Sequence, residues 1–172
     1  MGIRYRLRQL RANVSAGPLS DKARGEVSHW LIDTEQALFY RYAYADQWHC
    51  LRVLHTLEGA GYNHPDLMAA ALLHDIGKVR SPLSIWDRTV IVMGGAFFPG
   101  RARLWGNGDL ESWRRPFVAR AKHPEWGAEM AESAGSRPVV IDLIRRHQDT
   151  LDETQSDDDQ LLAILQWADD QN

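Results

Sequence analysis

Cysteine is nearly absent from this 172-residue chain: Cys50 stands alone. No internal disulfide can form, and a cysteine-based zinc site is excluded. Long apolar runs are missing too. The longest, residues 90–99, contains Gly94 and Gly95 and falls short of the ~18 residues that a spanning helix needs. The opening Met-Gly-Ile-Arg-Tyr-Arg lacks the apolar core of a signal peptide, so a cytoplasmic location is expected. A strong charge of one sign is also lacking. The net charge of −3 gives no global pull toward nucleic acid, and no specific nucleic-acid partner is expected. Finally, no segment alternates polar and apolar residues as a half-buried strand does. The β-branched Val90, Ile91 and Val92 therefore have no strand to pair with, and residues 83–92 are read as helix.

What remains is the pattern of a helical domain. The length suits one domain with a core of its own. Charge is unevenly spread. Residues 1–11 hold Arg4, Arg6, Arg8 and Arg11 and no acid, whereas residues 149–172 hold eight acids and no Lys or Arg; both read as solvated faces. Ile3, Leu7, Leu10 and Val14 share one stripe of a short basic helix expected to dock on the body. Ser20 caps a second helix to about Leu31, and residues 35–42 form a third. A longer helix is expected over residues 46–60. Asn63-His64-Pro65 opens the next, because proline suits the first turn. Residues 94–109 are rich in glycine and read as an irregular segment, a candidate mobile flap. Residues 110–122 are helical, Pro124 starts a separate helix to about Ala134, and Arg137-Pro138 starts another. Residues 149–160 read as a polar loop, and a last helix runs over about 157–170. The expected architecture is an all-α, single-domain helical bundle. Residues 1–45 form N-terminal helices packed on the main body, residues 46–172.

The centre of the chain is Ala69-Ala70-Ala71-Leu72-Leu73-His74-Asp75-Ile76-Gly77-Lys78. Leu67, Ala70, Ala71 and His74 fall at i−7, i−4, i−3 and i of a helix, so the imidazole leaves the buried stripe. Asp75 shares a flank with Met68, Ala71 and Leu72, and a carboxylate in apolar surroundings is costly unless a positive group compensates it. A metal ion would do so. A hydrogen-bonded histidine at a helix end, with Gly77 as stop signal, also accounts for the pair taken alone.

Further polar groups stand at inward positions. His49 lies on the stripe of Val53 and Leu57, His123 precedes Pro124, His147 ends the stripe of Val140 and Ile144, and Asp169 extends that of Leu162 and Leu165. Each singly reads as a satisfied buried group. Jointly, several helices deliver imidazoles or carboxylates inward, and a bundle interior converges such side chains on one place. A His- and Asp-rich cluster without cysteine suits Mn, Fe, Zn, Co or Ni.

The order His, His-Asp, His, His, Asp on an all-α chain resembles the HD superfamily of metal-dependent phosphohydrolases. Ala-Leu-Leu-His74-Asp75-Ile-Gly-Lys78 and His123-Pro124-Glu125-Trp126-Gly127 are close to that family's wording, and the similarity covers roughly residues 46–170. The resemblance implies one or two divalent transition-metal ions. His49, His74, Asp75 and Asp169 would hold the first, and His123 and His147, with Asp75 bridging, the second. It also implies hydrolysis of a phosphate ester, a nucleotide or other small phosphorylated metabolite, by metal-activated water attacking phosphorus. Asp75 and Lys78 are the expected catalytic residues, with Lys78 four residues beyond His74 on the same helical side. Arg80, Arg145 and Arg146 are weaker cationic candidates, and His29, His55 and His64 are read as structural. Two departures narrow the field. The Gly-Tyr-Pro motif of the cyclic-dinucleotide subgroup does not follow His147, and no acid follows His74-Asp75 as in the subgroup acting on alarmone nucleotides. The alternatives are a di-iron oxygenase on the same fold, which uses the same ligand order, and a non-catalytic metal-binding regulatory module.

Overall fold

A computed structural model describes residues 17–151 and 156–172; the basic stretch over residues 3–14 and part of the acidic loop lie outside them. The described residues form nine α-helices and one 3-10 turn, with no strand among them. In chain order the helices are α1 Asp21–Trp30, α2 Asp33–Phe39, α3 Tyr44–Gly59, α4 Pro65–Leu73, α5 Ile85–Phe97, α6 Pro99–Trp105, α7 Arg115–Ser133, α8 Pro138–Arg146 and α9 Asp157–Asp170. The 3-10 turn, Ile76–Arg80, follows α4.

Local chemistry explains most of the ends. Ser20 accepts the amide of Ala23 at the start of α1. Ser84 with Asp87, and Ser156 with Asp159, form reciprocal capping boxes on α5 and α9, which satisfy amides that a helix start leaves free. Proline occupies the first turn of α4, α6, α7 and α8, where its missing N–H costs nothing.

Helix α4 is the axis. Residues 67–73 are all buried, and a short helix apolar all round must be covered on every side. Helices α1, α3, α8 and α9 supply that cover, so the His74-Asp75 pair at its end is delivered to the middle of the bundle. Val27, Leu31 and Phe39 of the N-terminal segment belong to the same buried cluster as Leu72 and Leu143. Helices α5 and α6 instead pack on each other and on α7, at the margin of the bundle.

Three expectations are corrected. Residues 94–109 are not an irregular flap: α5 runs to Phe97 and α6 covers Pro99–Trp105. Gly94 marks close packing, since a Cβ there would lie 2.6 Å from Cζ of Phe117. Pro124 does not start a helix but sits inside α7, and the expected helix over residues 110–122 begins only at Arg115. The proline removes one donor, the partner of the Arg120 carbonyl, and that carbonyl is taken by Nδ1 of His123 at 2.8 Å. Nor does α4 continue to Lys78. It ends at Leu73, and the tighter 3-10 turn carries the lysine.

That turn lies against α7 with no side chain between them. A Cβ on Gly77 would meet the His123 carbonyl oxygen at 1.9 Å and the Gly127 amide nitrogen at 2.7 Å, while one on Gly127 would meet the milder obstacle of the Ile144 side chain at 3.0 Å. Both obstacles to Gly77 are backbone, so Gly77→Ala must displace α7. The expected loss is about 3 kcal/mol of stability in urea denaturation, whereas Gly59→Ala, with open space around it, serves as a neutral control.

Candidate metal centre

The helix ends aim the imidazoles. His74 and His147 occupy the C-caps of α4 and α8, where the last carbonyls lack intrahelical donors. Nδ1 of His74 meets the Ala71 carbonyl at 3.0 Å, and Nδ1 of His147 meets that of Ile144 at 2.7 Å. His123 makes the same i−3 contact inside α7, to the carbonyl that Pro124 leaves free. With Nδ1–H donating to backbone in each ring, the other nitrogen, Nε2, is left as a lone pair directed at the interior.

Those lone pairs converge with two carboxylates. His49, His74 and Asp169 bring one ligand atom each within 4.8 Å of one another, and so do Asp75, His123 and His147. Nε2 of His49 is 3.0 Å from Oδ1 of Asp169, and Nε2 of His74 is 3.6 Å from the same oxygen. Asp75 stands between the groups. Its Oδ2 faces His74 at 3.5 Å and His49 at 3.8 Å, while its Oδ1 faces His123 at 3.4 Å and His147 at 3.7 Å. All six candidates from the sequence are thus brought together. Asp170, the neighbour of Asp169, is exposed.

Two features of the donor set call for a cation. Nε2 of His74 is fully buried and has no hydrogen-bond partner, a rare and costly state for a polar atom. Nε2 of His123 and Nε2 of His147 face each other at 3.2 Å while both Nδ1 atoms are committed to carbonyls, so in the neutral rings two lone pairs oppose each other. The residues fit divalent ions, with imidazole nitrogens and carboxylate oxygens in place of thiolates.

The electrostatics follow from burial and the crowd of charges. Burial opposes ionisation of Asp75, yet the Lys78 ammonium and the neighbouring histidines hold its carboxyl well below the usual range. Asp169 is also lowered: burial works against it, and the neighbouring His49 and His74 rings outweigh that. Burial likewise works against a charge on His74, but Asp75 and Asp169 raise its pKa. Burial and the nearby His74 push His147 down to about 3, so it stays neutral and free to ligate.

Lys78 reaches the centre by a different route from that expected. Its Nζ forms an ion pair with Oδ2 of Asp75, and Asp75 raises its pKa against the effect of burial; it is a fixed positive charge and not a base. The weaker arginine candidates are elsewhere, Arg80 paired with Glu129, Arg145 with Glu125, and Arg146 with Asp142 and Asp159. His55 pairs with Glu26, His64 lies near Asp66 and His29 packs on Trp30.

Beside the centre opens a cavity of about 640 Å³, lined by Lys78, His123 and Gln148 on the metal side. Its wall adds Arg41, Arg88 and Arg120 and the apolar Pro82, Leu83 and Ile91. The sequence reading missed these arginines. Arg120 alone had a legible signal, three residues before His123 on the same helix side.

Comparison with known proteins agrees with this architecture. The family model described as the HD domain matches residues 48–170, most of the chain, and the protein belongs to the HD-domain family. Its superfamily is one of metal-dependent hydrolases that bind divalent metals. No curated protein and no solved structure matches the chain.

The two histidine groups should differ in their response to pH. Below the raised pKa of His74 its Nε2 carries a proton that an incoming ion must displace, so affinity at the His49, His74 and Asp169 group falls as pH falls through that value, about tenfold per unit. His147, neutral down to about pH 3, adds no such term to the other group. Titration calorimetry with Mn or Zn in buffers of different ionisation enthalpy should show the ion of the His49, His74 and Asp169 group releasing more proton than the other.

Proposed function

We propose that this protein is a metal-dependent phosphohydrolase acting on a phosphate ester, a nucleotide or other small phosphorylated metabolite. The carrying observation is the cavity wall next to the His/Asp cluster: Lys78, Arg41, Arg88 and Arg120 against the single acid Asp46. A surplus of cations beside a metal-ligating cluster suits an anionic substrate. Neither oxygen activation nor a purely structural metal requires one.

In this reading His49, His74, Asp75 and Asp169 hold one ion and Asp75, His123 and His147 hold another. When bound, the ions supply a water acidified toward pKa ~7 and a Lewis acid for a phosphoryl oxygen. The chain's own groups do the rest. Asp75 offers one oxygen to each side and fixes the separation of the two groups. Lys78, anchored beside that carboxylate, holds a permanent positive charge where the transferring phosphoryl group gathers negative charge. Arg88 and Arg120 draw the substrate into the cavity and orient it. Pro82, Leu83 and Ile91 keep water from the substrate's remaining surface.

The Mn- or Co-loaded protein should release phosphate from a phosphomonoester or nucleotide without oxygen. Asp75→Ala should lose activity and metal at both groups, because one side chain serves two ions. His147→Ala should keep the ion of the His49 group. Lys78→Ala should slow turnover about tenfold to a thousandfold with metal content intact. Iron-dependent oxygen consumption with no phosphate release would transfer the assignment to the oxygenase. Full activity of Lys78→Ala would remove the lysine from the mechanism.

A further inference from the structure

Helix α5 is built inside out. Trp86, Val90, Met93 and Phe97 lie at i, i+4, i+7 and i+11, one stripe of a helix, and that stripe faces away from the protein: they are 79%, 41%, 53% and 69% exposed. The side turned to the bundle carries Ile91, which is buried, and Gly94, packed against Phe117. Helix α6 continues the pattern with Leu104, 67% exposed. Trp105, the last residue of α6, packs against Phe98 and Trp113 with ring centroids 6.4 and 5.2 Å away. Nothing among the described residues covers this ridge, a helical stripe and not the singly scattered apolar residues of an ordinary surface.

The charges around the ridge indicate what meets it. Residues 89–108 hold Arg101 and Arg103 and no acid, in a chain whose net charge is −3. Arg101 stands over the Phe98 ring at 6.0 Å and Arg114 over the Trp113 ring at 5.5 Å. The acids of the segment stand at its ends. Asp87 is taken by Arg115 at 2.7 Å, and Asp109 accepts the Glu111 amide. A second copy of the chain in two-fold contact would bring Arg101 and Arg103 of the two copies together, and the nearest acids in sequence, Asp109 and Glu111, lie beyond α6. An anionic lipid surface answers both features at once. Tryptophan and phenylalanine insert at the headgroup level while arginines pair with phosphates, the composition of helices that lie in an interface. No helix among the described residues is long and apolar enough to cross a membrane, so such contact would be peripheral.

We propose that the α5–α6 ridge docks this protein on anionic lipid membranes, with the stripe of Trp86, Val90, Met93 and Phe97 inserted and Arg101 and Arg103 on the headgroups. The proposal is independent of the reaction assigned above, since none of these side chains belongs to the metal centre.

Cosedimentation with phosphatidylcholine vesicles, with and without phosphatidylglycerol, tests it on the full chain. The native protein should bind the phosphatidylglycerol vesicles and lose that binding at high salt. Trp86→Ser with Phe97→Ser should weaken it about tenfold or more, and Arg101→Glu with Arg103→Glu should abolish the preference for anionic lipid. Circular dichroism checks that both variants fold. As a second measurement, brominated phosphatidylglycerol should quench the tryptophan emission of native protein more than that of Trp86→Phe. Failure of the native chain to bind, equal binding to neutral vesicles, or full binding by the serine variant would overturn the proposal. So would binding lost only on changing Arg4, Arg6 and Arg8, or a dimer that the serine variant breaks without any vesicle binding.

Discussion

The structure depends on one buried carboxylate. Asp75 is taken out of water by the same helix that fills the core, and an ionised acid in that position is untenable without positive partners. Its surroundings answer that demand: Lys78 on one oxygen, and imidazoles from four helices arranged about both. The two oxygens point to different histidine groups, so this side chain makes one centre out of two half-sites. The apolar α4 is what forces the burial. A helix covered on all sides has nowhere to end but inside the bundle, and the residues at its end inherit that position.

The imidazoles are held by backbone that regular helices leave unsatisfied. The carbonyls of Ala71 and Ile144 are free because their helices stop, and that of Arg120 because Pro124 has no proton to donate. Each takes an Nδ1–H and leaves Nε2 bare toward the centre. Pro124 therefore serves the site without breaking α7, and Gly77 and Gly127 let the 3-10 turn lie close enough for Asp75 to reach His123. Stability and site geometry share these contacts, which is why a single methyl group at Gly77 is felt in both.

The margin of the molecule follows other rules. Helices α5 and α6 contribute little to the core and much to the cavity wall and to an outward apolar ridge. Ile91 and Arg88 of α5 line the cavity, while the opposite side of the same helix presents Trp86 and Phe97. One short segment thus shapes both the approach to the metal centre and an outward apolar stripe.

The all-α class, most helix positions and the six inward His and Asp residues were legible in the sequence, because helical periodicity and the His74-Asp75 wording are local properties. Capping residues and prolines act within a few residues of themselves, so they too could be read directly. What the sequence could not decide depends on which surfaces meet. Gly94 and Pro124 looked like breaks because their effect on an isolated helix is disruptive. Only Phe117 against Gly94, and the His123 ring on the Arg120 carbonyl, turn them into packing and aiming devices. Arg41, Arg88 and Arg120 come from three separate segments and share a wall only after folding. The stripe on α5 has the spacing of any core-facing helix, and its outward direction is set by the opposite side, where Ile91 and Gly94 fit against the bundle. Periodicity determines that a helix has an apolar face; the tertiary packing alone decides whether that face is buried.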